Sequence, residues 1–172
     1  IPDAAITTDI IVGFPGETEQ DFQDTIDLVR QARFATAFTY KYSKRPGTPA
    51  ADMPNQVDPE VIAQRYERLT EVVNQVTLEE NQMQIGKIVE VLVTNHEGKK
   101  DDANAKLSGR AKDNRLVHFS FADNKEIRPG DFVKVEITSA APFFLLADKP
   151  IVSVRKTRAG DLFEDNKNSP KK

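Results

Sequence analysis

The apolar residues of this chain change period at Gly86. Ahead of it, Ile62, Tyr66, Leu69, Val73, Val76 and Met83 fall near a 3.5-residue spacing, one stripe of a long helix. Beyond it, Ile88-Val89-Glu90-Val91-Leu92-Val93 begins a series of short runs with period two. A stripe of one period cannot serve as the buried face of the other. The sequence therefore predicts two kinds of packing joined at one point. Asp58-Pro59 opens the helix with a cap and a first-turn proline, and it runs to about Gln84 before Gly86 ends it. A helix of about 25 residues spans about 40 Å, long enough to pack on two domains.

After Lys87 the expected strands are Ile88–Val93, Ala105–Ala111, Leu116–Phe121, Phe132–Ile137 and Phe143–Ala147. Asn95 to Asn104 reads as a charged turn region, and Arg128-Pro129-Gly130-Asp131 as a turn. Five short strands over about 60 residues predict a small closed antiparallel barrel of the OB type. Residues 149–172 are polar and poor in apolar groups, so that tail is expected to be disordered.

Before the helix the pattern is strand, helix, strand. Residues 6–14 contain the β-branched run Ile10-Ile11-Val12, typical of parallel strands covered on both faces. Pro15-Gly16 breaks the strand, Thr18 sits where an N-cap belongs, and Phe22, Ile26 and Val29 follow at helical spacing through residues 19–33. Residues 36–42 alternate as a second strand, giving a βαβ unit with parallel strands. Ser43 to Asn55, with three prolines, reads as an ordered loop. The expected organisation is an α/β segment over 1–84, a five-stranded OB-like barrel over 85–148 and a tail over 149–172.

Charge divides at the same place. Residues 1–84 hold 7 Lys/Arg against 14 Asp/Glu, and residues 85–172 hold 17 against 13. A basic second half permits a nucleic-acid partner. The absence of cysteine excludes disulfides and thiolate metal sites. His96 and His118 cannot hold a metal by themselves, so no metal ligand is expected. No apolar run is long enough to cross a membrane. The start, Ile1-Pro2-Asp3, has neither initiator Met nor signal pattern; the chain is expected to be part of something longer and cytoplasmic.

Two segments point to chemistry. Gly13-Phe14-Pro15-Gly16 joins a strand to a helix, where backbone amides can approach a ligand. It lacks the Lys and Ser/Thr of a phosphate-binding P-loop, and a plain connecting turn is the rival reading. In the basic half, Arg110, Lys112, Asn114, Arg115, His118 and Phe119 mix cations, an amide and aromatics, the mixture that phosphates and unstacked bases require. Alternation puts Arg115, Val117 and Phe119 on one face and Leu116 and His118 on the other. Both faces carry an apolar residue, so the buried one is not fixed at this level.

Thr8-Asp9-Ile10-Ile11-Val12-Gly13-Phe14-Pro15-Gly16-Glu17-Thr18 resembles the late-barrel strand and turn of radical-SAM methylthiotransferases. Phe38-Thr39-Tyr40-Lys41-Tyr42-Ser43-Lys44-Arg45-Pro46-Gly47-Thr48-Pro49-Ala50 resembles the strand and loop that follow. Leu107-Ser108-Gly109-Arg110-Ala111-Lys112-Asp113-Asn114-Arg115-Leu116-Val117-His118-Phe119 resembles the TRAM domain of the tRNA branch, whose members make 2-methylthio-isopentenyladenosine beside the anticodon. The resemblance runs over residues 5 to 147 in the right order. It implies the end of an incomplete radical-SAM (β/α) barrel followed by an RNA-binding TRAM domain.

The resemblance also implies roles. Val12, Gly13, Phe14, Pro15, Gly16 and Tyr40 would border S-adenosylmethionine (SAM), Tyr42 and Tyr40 would stack on adenine or the target base unless they are barrel packing, and Arg45 would meet a phosphate or carboxylate unless it is a plain surface group. The two 4Fe-4S clusters of such enzymes sit on cysteines this chain does not have, so neither cluster nor SAM is expected on it alone, no catalytic residue is expected within it, and it is expected to be inactive alone. The expected partner is a tRNA anticodon stem-loop, with self-association through exposed barrel strands. The alternatives are the branch that modifies a ribosomal protein, and a non-catalytic RNA-binding module.

Overall fold

The computed structural model describes residues 4–95, 106–120 and 126–168; His96, most of the charged 95–104 region and Phe121 lie outside them. The chain divides into two compact units between Glu80 and Asn81.

The first unit contains β1 (Thr7–Val12), α1 (Glu19–Ala32), β2 (Thr36–Lys41), the short α2 (Pro49–Asp52) and α3 (Pro59–Gln82) as far as Glu80, the last two residues of that helix belonging to the second unit. β1 and β2 pair in parallel, from Thr7 opposite Thr36 to Val12 opposite Lys41. Helix α1 starts where the sequence places it. Thr18 Oγ1 accepts from the Asp21 N–H at 3.2 Å, and the Asp21 carboxylate accepts the Thr18 N–H at 2.9 Å, a reciprocal cap. The Thr18 hydroxyl, which also donates to the Asp21 carboxylate at 2.7 Å, and the Thr18 N–H hold the Asp21 carboxyl below its ordinary range. The apolar stripe of α1 (Phe22, Ile26, Val29) packs with Val12 and with Leu69, Val73 and Val76 of α3. Arg33 ends α1 in the left-handed region (φ 49°), and its guanidinium bonds Glu79 and Glu80 on α3.

The expected cover on both faces of β1 is not found. Ile11 is 55% exposed, as are its sheet neighbours Phe38 (55%) and Tyr40 (50%). Pleating explains it: Ile10 and Val12 face the helices, and Ile11 points the other way. Part of the expected 43–55 loop is helical, because Pro49 starts the turn of α2.

Among the described residues the second unit carries seven strands rather than five: β3 (Ile88–Val93), β4 (Lys106–Ala111), β5 (Leu116–Ser120), β6 (Phe132–Glu136), β7 (Ser139–Ala141), β8 (Phe144–Ala147) and β9 (Ser153–Arg155). Their order is β7-β8-β5-β4-β3-β6-β9. The expected barrel does not close by strand pairing, and β8 runs parallel to β5, so the sheet is not wholly antiparallel. The β7 end is instead tied to β6 by continuous chain. Ile137 exchanges bonds with the β3 side (N–H to Lys87 O at 3.0 Å, and O from Gly86 N at 2.9 Å), while the next residue, Thr138, donates to Leu146 O on β8 at 2.7 Å. One bent strand thus serves β3 and then β8. The result is barrel-like, with Val91, Val93, Val117, Phe119, Val133, Val135, Ile137 and Leu145 in one core.

The tail expected to be disordered is also ordered in part. Its residues form β9, paired to β6, and α4 (Arg158–Asn168). Ile151 and Val154 pack against the core, and side-chain bonding holds the rest. The Asp131 carboxylate, 0% exposed, accepts from Arg128 (3.1 and 3.2 Å) and from the Thr157 N–H (2.9 Å). Arg128 also reaches Asp161 (2.8 Å) and Glu164 (2.9 Å) on α4.

Burial pushes the Asp131 carboxyl up, but the bonds from Arg128 and Thr157 outweigh it and leave the group below the ordinary carboxylate range. A carboxylate depressed in the fold stabilises it above the unfolded value of about 3.9, and that contribution fades as pH falls through the lower folded value. Breaking a buried pair costs about 3–5 kcal/mol. Denaturant unfolding of Asp131→Ala is expected to show a loss of that order at pH 7, and the difference from the parent is expected to shrink below about pH 4.

Candidate nucleic-acid interface

The glycine turn is wired internally. The Gly13 N–H donates to the Glu17 carboxylate at 2.9 Å, and the same oxygen accepts from Arg65 of α3 at 2.6 Å. Arg65 also reaches the Glu17 carbonyl (3.1 Å) and Glu19 (3.2 Å), and Arg68 bonds Glu19 at 2.6 Å. The Arg68 guanidinium, with Arg65, holds Glu19 below the usual carboxylate range. Gly16 donates to Asn55 O at 2.9 Å. Two turn amides thus serve the protein itself. Gly13 has φ 81°, and a Cβ there would collide with Ile62. Val12, Gly13 and Pro15 are buried; Phe14, Gly16 and Tyr40 are exposed. Tyr42 stands edge-on to Phe14 with ring centroids 5.4 Å apart, and its buried hydroxyl has no hydrogen-bond partner among the described residues. Arg45 is exposed, with its carbonyl bonded by Thr48.

In the second unit the buried face of β5 is the one carrying Val117 and Phe119. Phe119 is 0% exposed and belongs to the core, so it is not a base-stacking group. Arg115 also departs from expectation. It is held by Asp113 and by Asn81 Oδ1 at 2.9 Å, with its side chain 14% exposed. It braces the turn in which Asn114 adopts φ 65°. His118 lies edge-to-face with Phe144, centroids 5.2 Å apart. Arg110 and Lys112 line a groove, while Arg110 donates to Asn114 O at 3.1 Å.

That groove has a volume of about 220 Å³ and is lined by Glu90, Leu92, Arg110, Ala111, Lys112 and Phe132. Strand register builds it. Arg110 on β4 pairs with Leu92 on β3, Leu92 with Phe132 on β6, and Phe132 with Arg155 on β9. One row across four strands reads Arg, Leu, Phe, Arg. The Arg155 guanidinium lies over the Phe132 ring, 4.1 Å from its centroid, and 3.4 Å from Glu90. In the next row Glu90 pairs with Lys134. Sequence reading missed Glu90, Leu92, Phe132, Lys134 and Arg155, because their neighbourhood is set by cross-strand pairing rather than by spacing.

Residues 82–149 match the family model of the TRAM domain. This stretch is similar to TRAM domains. The chain as a whole is 63% identical over 164 residues to a tRNA-2-methylthio-N(6)-dimethylallyladenosine synthase of Acidothermus cellulolyticus, covering 95% of the chain and 32% of that relative. The synthase of the same name from Mycolicibacterium smegmatis is 62% identical over 161 residues, covering 94% and 31%. That of Thermobifida fusca is 56% identical over 172 residues, covering 100% and 35%. The chain spans about a third of the length of these relatives.

Within the second unit these arginines divide by burial: Arg115 is braced inside, and Arg110 and Arg155 flank the outer row. Arg115→Ala is expected to lower the unfolding midpoint by several degrees, and Phe119→Ala to cost about 3–5 kcal/mol. Lys112→Ala, at an exposed position, is expected to leave the midpoint unchanged. Circular-dichroism melts of the three variants check this.

Proposed function

We propose that this chain supplies tRNA binding and substrate positioning to a tRNA methylthiotransferase that adds a methylthio group to isopentenyladenosine beside the anticodon. The observation that carries the reading is 56–63% identity over nearly the whole chain to synthases whose names state that tRNA product. The TRAM match and the Arg110–Leu92–Phe132–Arg155 row support it from the side of RNA recognition. Ribosomal-protein modification has no such support. The partner in this reading is the anticodon stem-loop, and the compartment is the cytoplasm. The first unit is proposed as the last part of a radical-SAM barrel, whose open face at Ile11, Phe38 and Tyr40 is the surface through which copies of the chain would self-associate.

The iron–sulfur clusters of such enzymes do not fit these residues. They require Cys thiolates, the chain has none, and among the described residues no three His, Cys, Asp or Glu side chains converge on a metal site. The chain alone is proposed to be inactive. SAM supplies the methyl group when bound to the complete enzyme. Phe14, Gly16 and Tyr40, which are exposed, are the proposed border of that site. Val12, Gly13 and Pro15 shape the turn from behind, and Tyr42 and Arg45 are proposed for the substrate side.

Binding to an anticodon stem-loop across a salt series tests the reading. Affinity is expected to fall steeply as salt rises, with a log–log slope near −0.9 per phosphate contact. Lys112→Ala and Arg110→Ala are each expected to reduce that slope by about 1. No binding at low salt would remove the tRNA assignment from this chain.

A further inference from the structure

We infer that the groove beside β3 is a single-base subsite, one that takes an unstacked nucleobase and prefers guanine. The inference rests on the RNA-binding reading above and goes beyond it by naming what enters and what reads it.

The lining is mixed in an informative way. Leu92 and Phe132 make an apolar strip, with Arg110 and Lys112 along one side and Arg155 over the Phe132 ring on the other. A phosphate would gain from the cations but would sit against the Glu90 carboxylate, which lines the same groove. An apolar side chain would cover Glu90 and the cations without offering any of them a hydrogen bond. A nucleobase matches every part. Its faces stack on an aromatic ring or a guanidinium plane, its edge donates to a carboxylate, and its phosphates lie outside, towards the cations.

Glu90 sets the preference. Its contact with Arg155 is long, at 3.4 Å, and an ionised carboxylate accepts about four hydrogen bonds. Guanine offers two parallel N–H groups on its Watson–Crick edge, the fork that a carboxylate accepts best. Adenine and cytosine offer one amino group beside an acceptor nitrogen. Uracil offers one N–H between two carbonyl oxygens that face the carboxylate unfavourably. The expected order is guanine first and uracil last.

The test uses the full chain and two labelled RNA pentamers, pentauridylate and the same pentamer with a central guanosine, read by fluorescence anisotropy at fixed salt. The guanosine pentamer is expected to bind about tenfold more tightly, the discrimination of one good base-edge pair. Glu90→Gln is expected to bring the two pentamers to equal affinity. Lys149→Ala, which alters an exposed pair with Glu136 elsewhere, is expected to keep the tenfold difference. Equal binding of the two pentamers by the parent chain, or a difference that survives Glu90→Gln, overturns the base subsite. If that happens while the stem-loop still binds with a slope that responds to Lys112→Ala, the RNA-binding reading stands and only this inference falls. If neither pentamer nor stem-loop binds, both fall.

Discussion

The second unit depends on two consecutive residues. Ile137 completes the ladder with β3, and Thr138 begins the one with β8. A β-sheet that twists has two edges whose backbone groups need partners. Here one strand bends at its middle and supplies β6 from its first half and β7, one end of the order, from its second. The bend also puts Ile137 in the core at 1% exposure, so backbone pairing and apolar burial fix the same point. The parallel contact of β5 and β8 follows, since β8 must run back along the bent strand.

Cations in this chain fall into two physical classes. Arg65, Arg115 and Arg128 have side chains that are mostly buried, and each is matched by carboxylates and carbonyls. Such pairs add little net stability over apolar packing, yet removing one partner is costly. They fix geometry: Arg65 sets the glycine turn, Arg115 the turn after β4, and Arg128 the docking of α4. Arg110, Lys112 and Arg155 lie towards solvent, where charge can meet a ligand. Net charge alone does not separate these classes.

Much of the fold was legible because long elements carry their own period. Helix α3, the cap at Thr18 and the parallel pairing of β1 with β2 follow from residue spacing. β7 and β9, at three residues each, are too short to show alternation. Helix α4 was hidden because polar residues make it, and what orders it is a buried carboxylate at Asp131, far away in sequence. The candidate site was legible only in part. Arg110 and Lys112 stand in one charged run, whereas Phe132 and Arg155 reach them through register across β3 and β6. Phe119 and Arg115 looked like ligand contacts because composition does not say which face of a strand is buried.

The row of Arg110, Leu92, Phe132 and Arg155 has a hidden arithmetic. Arg155 reaches the outer face through the register of β9 on β6, with Val154 turned to the core. Surface connectors ordinarily accept insertions. An insertion between Ala147 and Ser153 that slid β9 by one position would turn Arg155 inward and Val154 out. The connector is thus free to change length only where it takes up the change itself, a constraint on its drift that no single residue in it carries.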